Sequence, residues 1–529
     1  MKSIKLYIYA IILFTTLLNC KKSRLDFKNE NKFSFESYFT TPQTILEATN
    51  ATYLTLLNPG MFCREYYYIF DMLGFDIKKG PSLLGDLESL SIYTFDGRNV
   101  QINQLWAAMY RMVYRANLTI NRGNNLMPQL TDVQQADVKR YIAEARFLKA
   151  YANFHLVFLW GDVPLRKDFE SYNESFPART PSTEIWAEVE KDLTEAIPDL
   201  PLSYNADNLG RATKGAAIAL LGKVYLYQKK WQQAQQTLEQ LTKAPYSYEL
   251  ATDYDELFDE TNHNTKETIF MSMNRPWDTP ALQSDGNAWG SVFGGMEIWG
   301  RATPSIRANE YDFNGWFNTY FTFAAAKAFK YDLEGVSGYK DPRGKLTYYG
   351  DSLDLPGATT YMEKTATPKP YDYNDTRSKG KIRYQLRKYG LNTRYEAVPF
   401  MKGVNAQIIR YADVLLMIAE AYIQQGNTGS VPLEYINKVR TRVGAANYTS
   451  LGGQAMAIIE RERRLELTGE QSRYFDLVRW GKLVETVNDE KKAEGQAPNV
   501  QAKHVLLPIP ACETDYNPTV RGQVKDSWN

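Results

Sequence analysis

From about Thr41 onward the chain spaces its apolar residues as helices do. Thr41-Pro42 precedes QTILEATNATYLTLL, which combines an N-cap, a proline at the first helical position and an amphipathic run. The clearest helix is expected from about Asp132 to Trp160. There Tyr141, Ala145, Leu148, Ala152, Leu156 and Leu159 recur at steps of three and four and build one apolar stripe. Gly161-Asp162-Val163-Pro164 then stops it. Two helix pairs follow. The first is TKGAAIALLGKVYLYQKK with WQQAQQTLEQLTKA, and it carries small residues at Ala216, Ala217, Ala219 and Gly222. The second is YADVLLMIAEAYIQQG with LEYINKVRTRVG. Small residues let two helices of a hairpin approach closely while large residues of the partner fill the gap, which is tetratricopeptide-like logic without a strict period of about 34 residues. A further helix covers AMAIIERERRLELTGE, where Glu460 and Arg464 stand at i, i+4 and can pair.

Between about Glu249 and Asn405 this periodicity fades, apart from a short stretch at 321–329, and Gly, Pro, Asn, Asp and Tyr dominate. So long an interval without strong elements is usually functional or disordered, and its aromatic richness argues against disorder. The fold class expected is mainly α, a scaffold of tetratricopeptide-like helix pairs with a large irregular loop-rich ligand-binding region and little β. The expected divisions are an N-terminal helical scaffold at 41–248, the aromatic loop-rich region at 249–405, and a C-terminal helical scaffold and tail at 406–529.

The segment before the scaffold has a different character. Lys2 and Lys5 precede an apolar or neutral run from Leu6 to Leu18, followed by Asn19 and Cys20. That run is too short to span a bilayer, which takes about 20 residues, but it suits the core of a signal peptide. Leu17-Leu18-Asn19-Cys20 looks like a lipobox, so 1–19 reads as signal peptide and Cys20 as the lipidated residue. The polar stretch 20–40 reads as a tether. Multiple acyl chains anchor stably, since each buried CH₂ contributes about 0.8 kcal/mol.

Composition narrows the partners. Lysine and arginine number 62 against 61 acidic residues, for a net charge of +1, so no basic field marks a nucleic-acid partner. The length allows roughly three average domains or one large interwoven fold. Besides Cys20 only Cys63 and Cys512 remain, as one disulfide or two buried thiols. With His155, His263 and His504 scattered, the sequence offers no zinc-ligand spacing. Asp372–Asp375 has calcium-like residue types without the spacing or glycine of a known loop. No metal or cofactor is expected.

Four of the ten tryptophans, Trp277, Trp289, Trp299 and Trp316, fall in turn-rich text where no helical stripe demands them. A flat aromatic ring on a loop can stack on the apolar face of a pyranose, while neighbouring polar side chains take its hydroxyls. Asn287, Asp285, Arg301 and Arg307 are at hand. The competing reading is that these tryptophans plug loops onto the scaffold. A second aromatic group, Tyr66-Tyr67-Tyr68, precedes Asp71 and Asp76, and there core packing competes with a ligand role for Tyr67. Catalytic residues are not expected. The sequence has no Gly-x-Ser-x-Gly elbow, no His-Glu-x-x-His and no phosphate-cradling glycine loop. A glycosidase needs only two placed carboxylates, but nothing singles out a pair.

Several stretches together resemble the SusD/RagB family of Bacteroidetes lipoproteins. They are AEARFLKAYANFHLVFLWGDVPL (Ala143–Leu165), TKGAAIALLGKVYL, IIRYADVLLMIAEAY (Ile408–Tyr422), INKVRTRVG, the run from Arg461 to Leu483, and the ending LLPIPACETDYNPT. The resemblance implies an outer-membrane lipoprotein that captures an oligosaccharide, less often a peptide. It would act as a lid over a SusC-type TonB-dependent transporter, with no nucleic-acid partner and membrane contact through the lipid alone. It also implies that the Arg461–Leu483 run orders the helical core. Ligand residues vary with the glycan in that family, so Trp277, Trp289, Trp299, Trp316, Asn287, Arg301 and Tyr67 rest on composition and position. A peptide-capturing relative and an envelope glycoside hydrolase are the alternatives. One departure concerns the anchor. Some relatives carry an acidic export signal after the lipidated Cys, whereas Lys21-Lys22-Ser23-Arg24 is basic here.

Overall fold

Thr41 is extended and its N–H reaches Thr44 Oγ1 at 3.5 Å, opening helix α1 (Pro42–Tyr53) with Pro42 in its first turn. The computed structural model describes residues 38–80, 85–168, 176–258, 265–274, 307–311, 318–350 and 404–524, with short pieces of 355–370, 384–389 and 393–394. Cys20, Trp277, Asp285, Asn287, Trp289, Trp299, Arg301, Trp316 and Asp372–Asp375 lie outside the described residues.

After α1 come α2 (Glu65–Leu73), α3 (Val100–Leu126), α4 (Asp132–Trp160), α5 (Ser182–Ala196), α6 (Lys214–Tyr227) and α7 (Trp231–Leu238). The five-residue α8 (Arg307–Tyr311) follows, then α9 (Tyr411–Gln424), α10 (Ser430–Arg442), α11 (Ala455–Leu467), α12 (Ser472–Arg479) and α13 (Leu483–Ala493). The fold is mainly α. Helix α4 has the bounds its apolar stripe predicts, and Gly161 (φ 72°) caps it. Helices α2, α3, α5, α8, α12 and α13 come in addition to those read from periodicity. In α3 the buried Ile102, Leu105, Trp106, Met109, Met112, Val113 and Ala116 recur at helical spacing and form its apolar face.

Helices α6 and α7 form the first expected hairpin, and α9 and α10 the second. Ala216, Ala217 and Ala219 are fully buried on α6. A Cβ at Gly222 would lie 2.4 Å from the Leu238 side chain of α7, so only glycine permits that approach. Helix α7 also packs on α9, which joins the two hairpins into one scaffold around a continuous apolar core. Strand content is small. Thr268–Ser272 pairs antiparallel with Ala406–Arg410, and Ile77–Lys79 with Thr319–Phe321.

Two local expectations fail. Glu460 pairs with Lys482 at 2.6 Å and not with Arg464. Arg464 instead reaches Asp76 at 3.3 Å and Glu490 at 2.6 Å, because its face of α11 is turned into the protein. The two cysteines are neither a disulfide nor two buried thiols: Cys63 is buried, Cys512 is exposed, and no disulfide joins them. Among the described residues no helix is long and apolar enough to cross a membrane.

The Arg461–Leu483 run does order the core. Arg463, fully buried, reaches Asp413 of α9 at 2.8 Å and Asp476 of α12 at 2.9 Å. Arg479 and the Trp480 indole N–H both donate to Glu420 of α9, at 2.7 and 2.9 Å. A planar guanidinium with five donors suits such multivalent buried pairing.

Candidate functional site

The described ends of the aromatic segments converge on one floor. After strand Thr268–Ser272 the chain reaches Asn274, which is buried. Its backbone N–H donates to Asn405 Oδ1 and its side-chain amide to the Val404 carbonyl, both at 2.9 Å. The segments that leave from Asn274 and arrive at Val404 are therefore pinned side by side. Arg307 stands at the other end of the stretch that carries Trp277, Trp289 and Trp299, as the first residue of α8. Its guanidinium carbon lies 3.8 Å from the centroid of the Tyr389 ring, just before position 390. Tyr389 in turn accepts the Gln407 N–H at 3.3 Å and packs on Phe258, in a small cluster with Val404. Four chain ends, at Asn274, Arg307, Tyr389 and Val404, thus share one platform.

Helix α2 holds α8 in place. Every side chain of α2 is buried, so its acids need partners inside the protein. Asp71 Oδ2 accepts from Arg307 at 3.2 Å, the Tyr311 hydroxyl at 3.1 Å and the Gln471 amide at 2.9 Å. Burial pushes the Asp71 carboxyl up to about 6, against the opposing pull of Arg307. Arg307 also donates to the Gly469 carbonyl. On the next turn of α8, Glu310 accepts from Arg64 Nε at 2.8 Å and from the Tyr68 hydroxyl.

Tyr67 belongs to this support and not to a ligand surface. It is 2% exposed, its ring meets Tyr311 edge-on at 5.3 Å, and the Arg307 guanidinium carbon lies 5.2 Å from its centroid. A helix buried on all sides leaves its ring no face for a sugar, so the ligand role expected for Tyr67 is corrected to core packing. Arg307 is likewise engaged in anchoring, 3% exposed. A sequence signal for this existed. An aspartate in the middle of an apolar helix implies a buried cation, but nothing in the sequence says which one.

Removing that cation has a definite consequence. Arg307→Ala leaves Asp71 buried without its ion partner, and the protein is expected to lose about 3 kcal/mol of stability. Urea unfolding followed by circular dichroism measures it, and a loss under about 0.5 kcal/mol would contradict the anchoring role.

With this geometry in view, comparison with known proteins is decisive. The family model described as the SusD family matches residues 301–525, and one described as "Starch-binding associating with outer membrane" matches 61–226. The chain belongs to the SusD family. It is similar to a SusD-like protein of Formosa agariphila, 26% identical over 513 residues that cover 92% of each chain. A solved SusD superfamily protein of Bacteroides vulgatus superposes with a TM-score of 0.74 at 26% identity, covering 91% of this chain and 98% of that one. A solved laminarin-binding SusD-like protein gives a TM-score of 0.69 at 26% identity, again covering 91% and 98%. SusD of Bacteroides thetaiotaomicron is named a starch-binding protein and the solved SusD-like protein above a laminarin-binding one, and this chain, as a member of their family, is not an enzyme.

Proposed function

We propose that this protein is an outer-membrane lipoprotein, acylated at Cys20, that binds an oligosaccharide and delivers it to a SusC-type TonB-dependent transporter. The observation that carries this reading is the match over nearly the whole chain to a laminarin-binding SusD-like protein. The family description that names outer-membrane association supports the location. The region 249–405 serves as the ligand-binding part. Trp277, Trp289, Trp299 and Trp316 supply stacking faces there, and Asn287 and Arg301 supply hydrogen bonds to hydroxyls. The shared platform of Asn274, Arg307, Tyr389 and Val404 supports the choice of region, because it gathers the ends of both aromatic segments.

A few stacked rings and solvent-facing hydrogen bonds give binding on the order of micromolar to millimolar. Affinity electrophoresis against a polysaccharide panel tests the proposal. Retardation of the wild-type chain, lost in the Trp289→Ala/Trp299→Ala double variant, is the expected result. Undiminished retardation of that variant would remove the site assignment. Release of reducing sugar would revive the hydrolase alternative, and a peptide found in the purified complex, with no response to glycans, would favour peptide capture.

A further inference from the structure

A groove on the scaffold lies apart from the α2–α8 platform. One wall is the loop Leu202–Arg211 after α5, the other is Pro245–Tyr248 after α7, and strand Thr268–Ser272 forms the floor. The larger hollow measures about 420 Å³. A second, of about 280 Å³, shares Asn208, Gly210, Arg211 and Met271 with it and continues past them to Tyr53 and Met273. Such a trough suits a chain of rings better than a single ring.

Its aromatic wall is built in depth. Tyr246 and Tyr248 stand two residues apart in the loop that follows α7. Their rings are parallel within 8° at a centroid distance of 6.0 Å. Tyr248 is backed by Tyr411 at the start of α9, 6.1 Å away. Gly215, in the first turn of α6, makes room for this ladder, since a Cβ there would lie 2.1 Å from the Tyr248 hydroxyl. Tyr411 is buried, while Tyr246 and Tyr248 remain half-buried along the groove. Tyr246 is thus a rigidly supported ring at the outer end of the ladder.

The opposite wall is polar and already ordered. Glu144, which has no solvent exposure, accepts from the Tyr204 hydroxyl at 2.9 Å and from the Arg211 guanidinium at 2.8 Å. Asn208 accepts from Arg211 Nε at 3.0 Å. The two charged residues lining the larger hollow are both paired within the chain, Arg211 with Glu144 and Lys266 with Glu249. In the larger hollow a flat ring facing neutral hydrogen-bonding groups, with both lining charges paired, matches a neutral polyhydroxylated ligand and not a charged one.

We propose that this groove is a second carbohydrate-binding surface, in which a pyranose ring lies on Tyr246 and its hydroxyls meet Tyr204 and Asn208. This rests on the carbohydrate reading of the tryptophan-bearing region and extends it. Met273 at the groove's end is adjacent in sequence to Asn274, the last described residue before Trp277. Two linked weak sites raise the affinity for long chains far above that for short ones.

Hydrogen exchange of the full chain with short oligosaccharides prepared from laminarin and from starch tests the groove, next to affinity electrophoresis on the parent polysaccharides. Protection in 202–213 and 243–250 is expected with whichever sugar retards the protein. Tyr246→Ala should lose that protection, keep the wild-type melting temperature and bind the polysaccharide about fivefold more weakly. A wild-type chain that is retarded without protection in those two segments overturns the groove and leaves the tryptophan site standing. Retardation by neither polysaccharide overturns both readings.

Discussion

Replacing Arg410 with alanine is expected to lower the unfolding free energy by about 3–5 kcal/mol, the range for removing one partner from a buried ion cluster. Arg410 is 1% exposed at the end of strand Ala406–Arg410. It donates to Glu267 and to Glu466 at 2.7 Å, and to both oxygens of Glu470 at 2.7 and 2.9 Å. It also reaches the Glu466 carbonyl at 2.8 Å. Arg442 shares Glu267 and Glu466, and Lys388 reaches Glu470 at 3.0 Å. Arg343 adds a fourth cation at 3.6 Å from Glu466, but of the four only Arg410 reaches all three carboxylates, so its alanine variant weakens the compensation of each and leaves several acceptors unmade. Urea unfolding reads the loss. A deficit below about 1 kcal/mol would show that the cluster tolerates the loss of Arg410, contrary to the geometry.

Acid is expected to unfold the protein steeply within about one pH unit below the ordinary carboxylate range, with only a shallow change above it. Burial alone would raise Glu466, but Arg442, Arg410, Arg343 and Lys388 overcome it and hold the carboxyl below its usual range. Asp413 is raised by burial and lowered more by Lys223 and Arg463, and Glu470, Asp476 and Asp341 are likewise held low by neighbouring cations against burial. A carboxyl with a depressed folded value contributes stability above its unfolded value and loses it as pH falls further. Five such groups acting together make the loss steep once the pH falls below the ordinary carboxylate range.

Between about pH 6.5 and 4 the contributions oppose each other. Burial lowers His155 to about 3 and His504 to about 4, so each loses stability as pH falls and the unfolded chain takes up its proton. Asp71, raised by burial to about 6, does the reverse: the folded chain takes up its proton first, and stability grows as pH falls through that value. At His155 the Nδ1 hydrogen bond to the Tyr151 carbonyl at 2.8 Å pulls the other way but is outweighed by burial, and Nε2 lies 2.9 Å from the Tyr66 hydroxyl. Thermal melts from pH 8 to about 3 check the curve, and a cooperative fold persisting near about pH 2 would contradict it.

Much of the scaffold was legible because its signals are short-range. The stripe of α4, the proline that opens α1 and the small face of α6 each lie within a few turns, and each was read with nearly the observed bounds. Helix α1 ends at Tyr53, where a 3₁₀ turn of Leu54–Leu57 replaces the last turn expected for it. The site was less legible. Tyr67 stands among tyrosines in a way that fits a sugar platform and a core equally well, and only the burial of its whole helix separates the two. Tyr246 and Tyr248 drew no notice at all, since an i, i+2 pair in a loop has no periodic partner.

The amino-acid sequence by itself determined the helical class, the hairpin pairs and, through an ordered set of motifs, the family. Tertiary structure decided which charges meet and which aromatics face solvent. Arg410 finds Glu267 across 143 positions, and Arg464 finds Asp76 across 388. Helical spacing encodes which face of a segment is apolar over a few residues. The partner of a buried charge is set by how distant segments pack, and no local pattern carries that information.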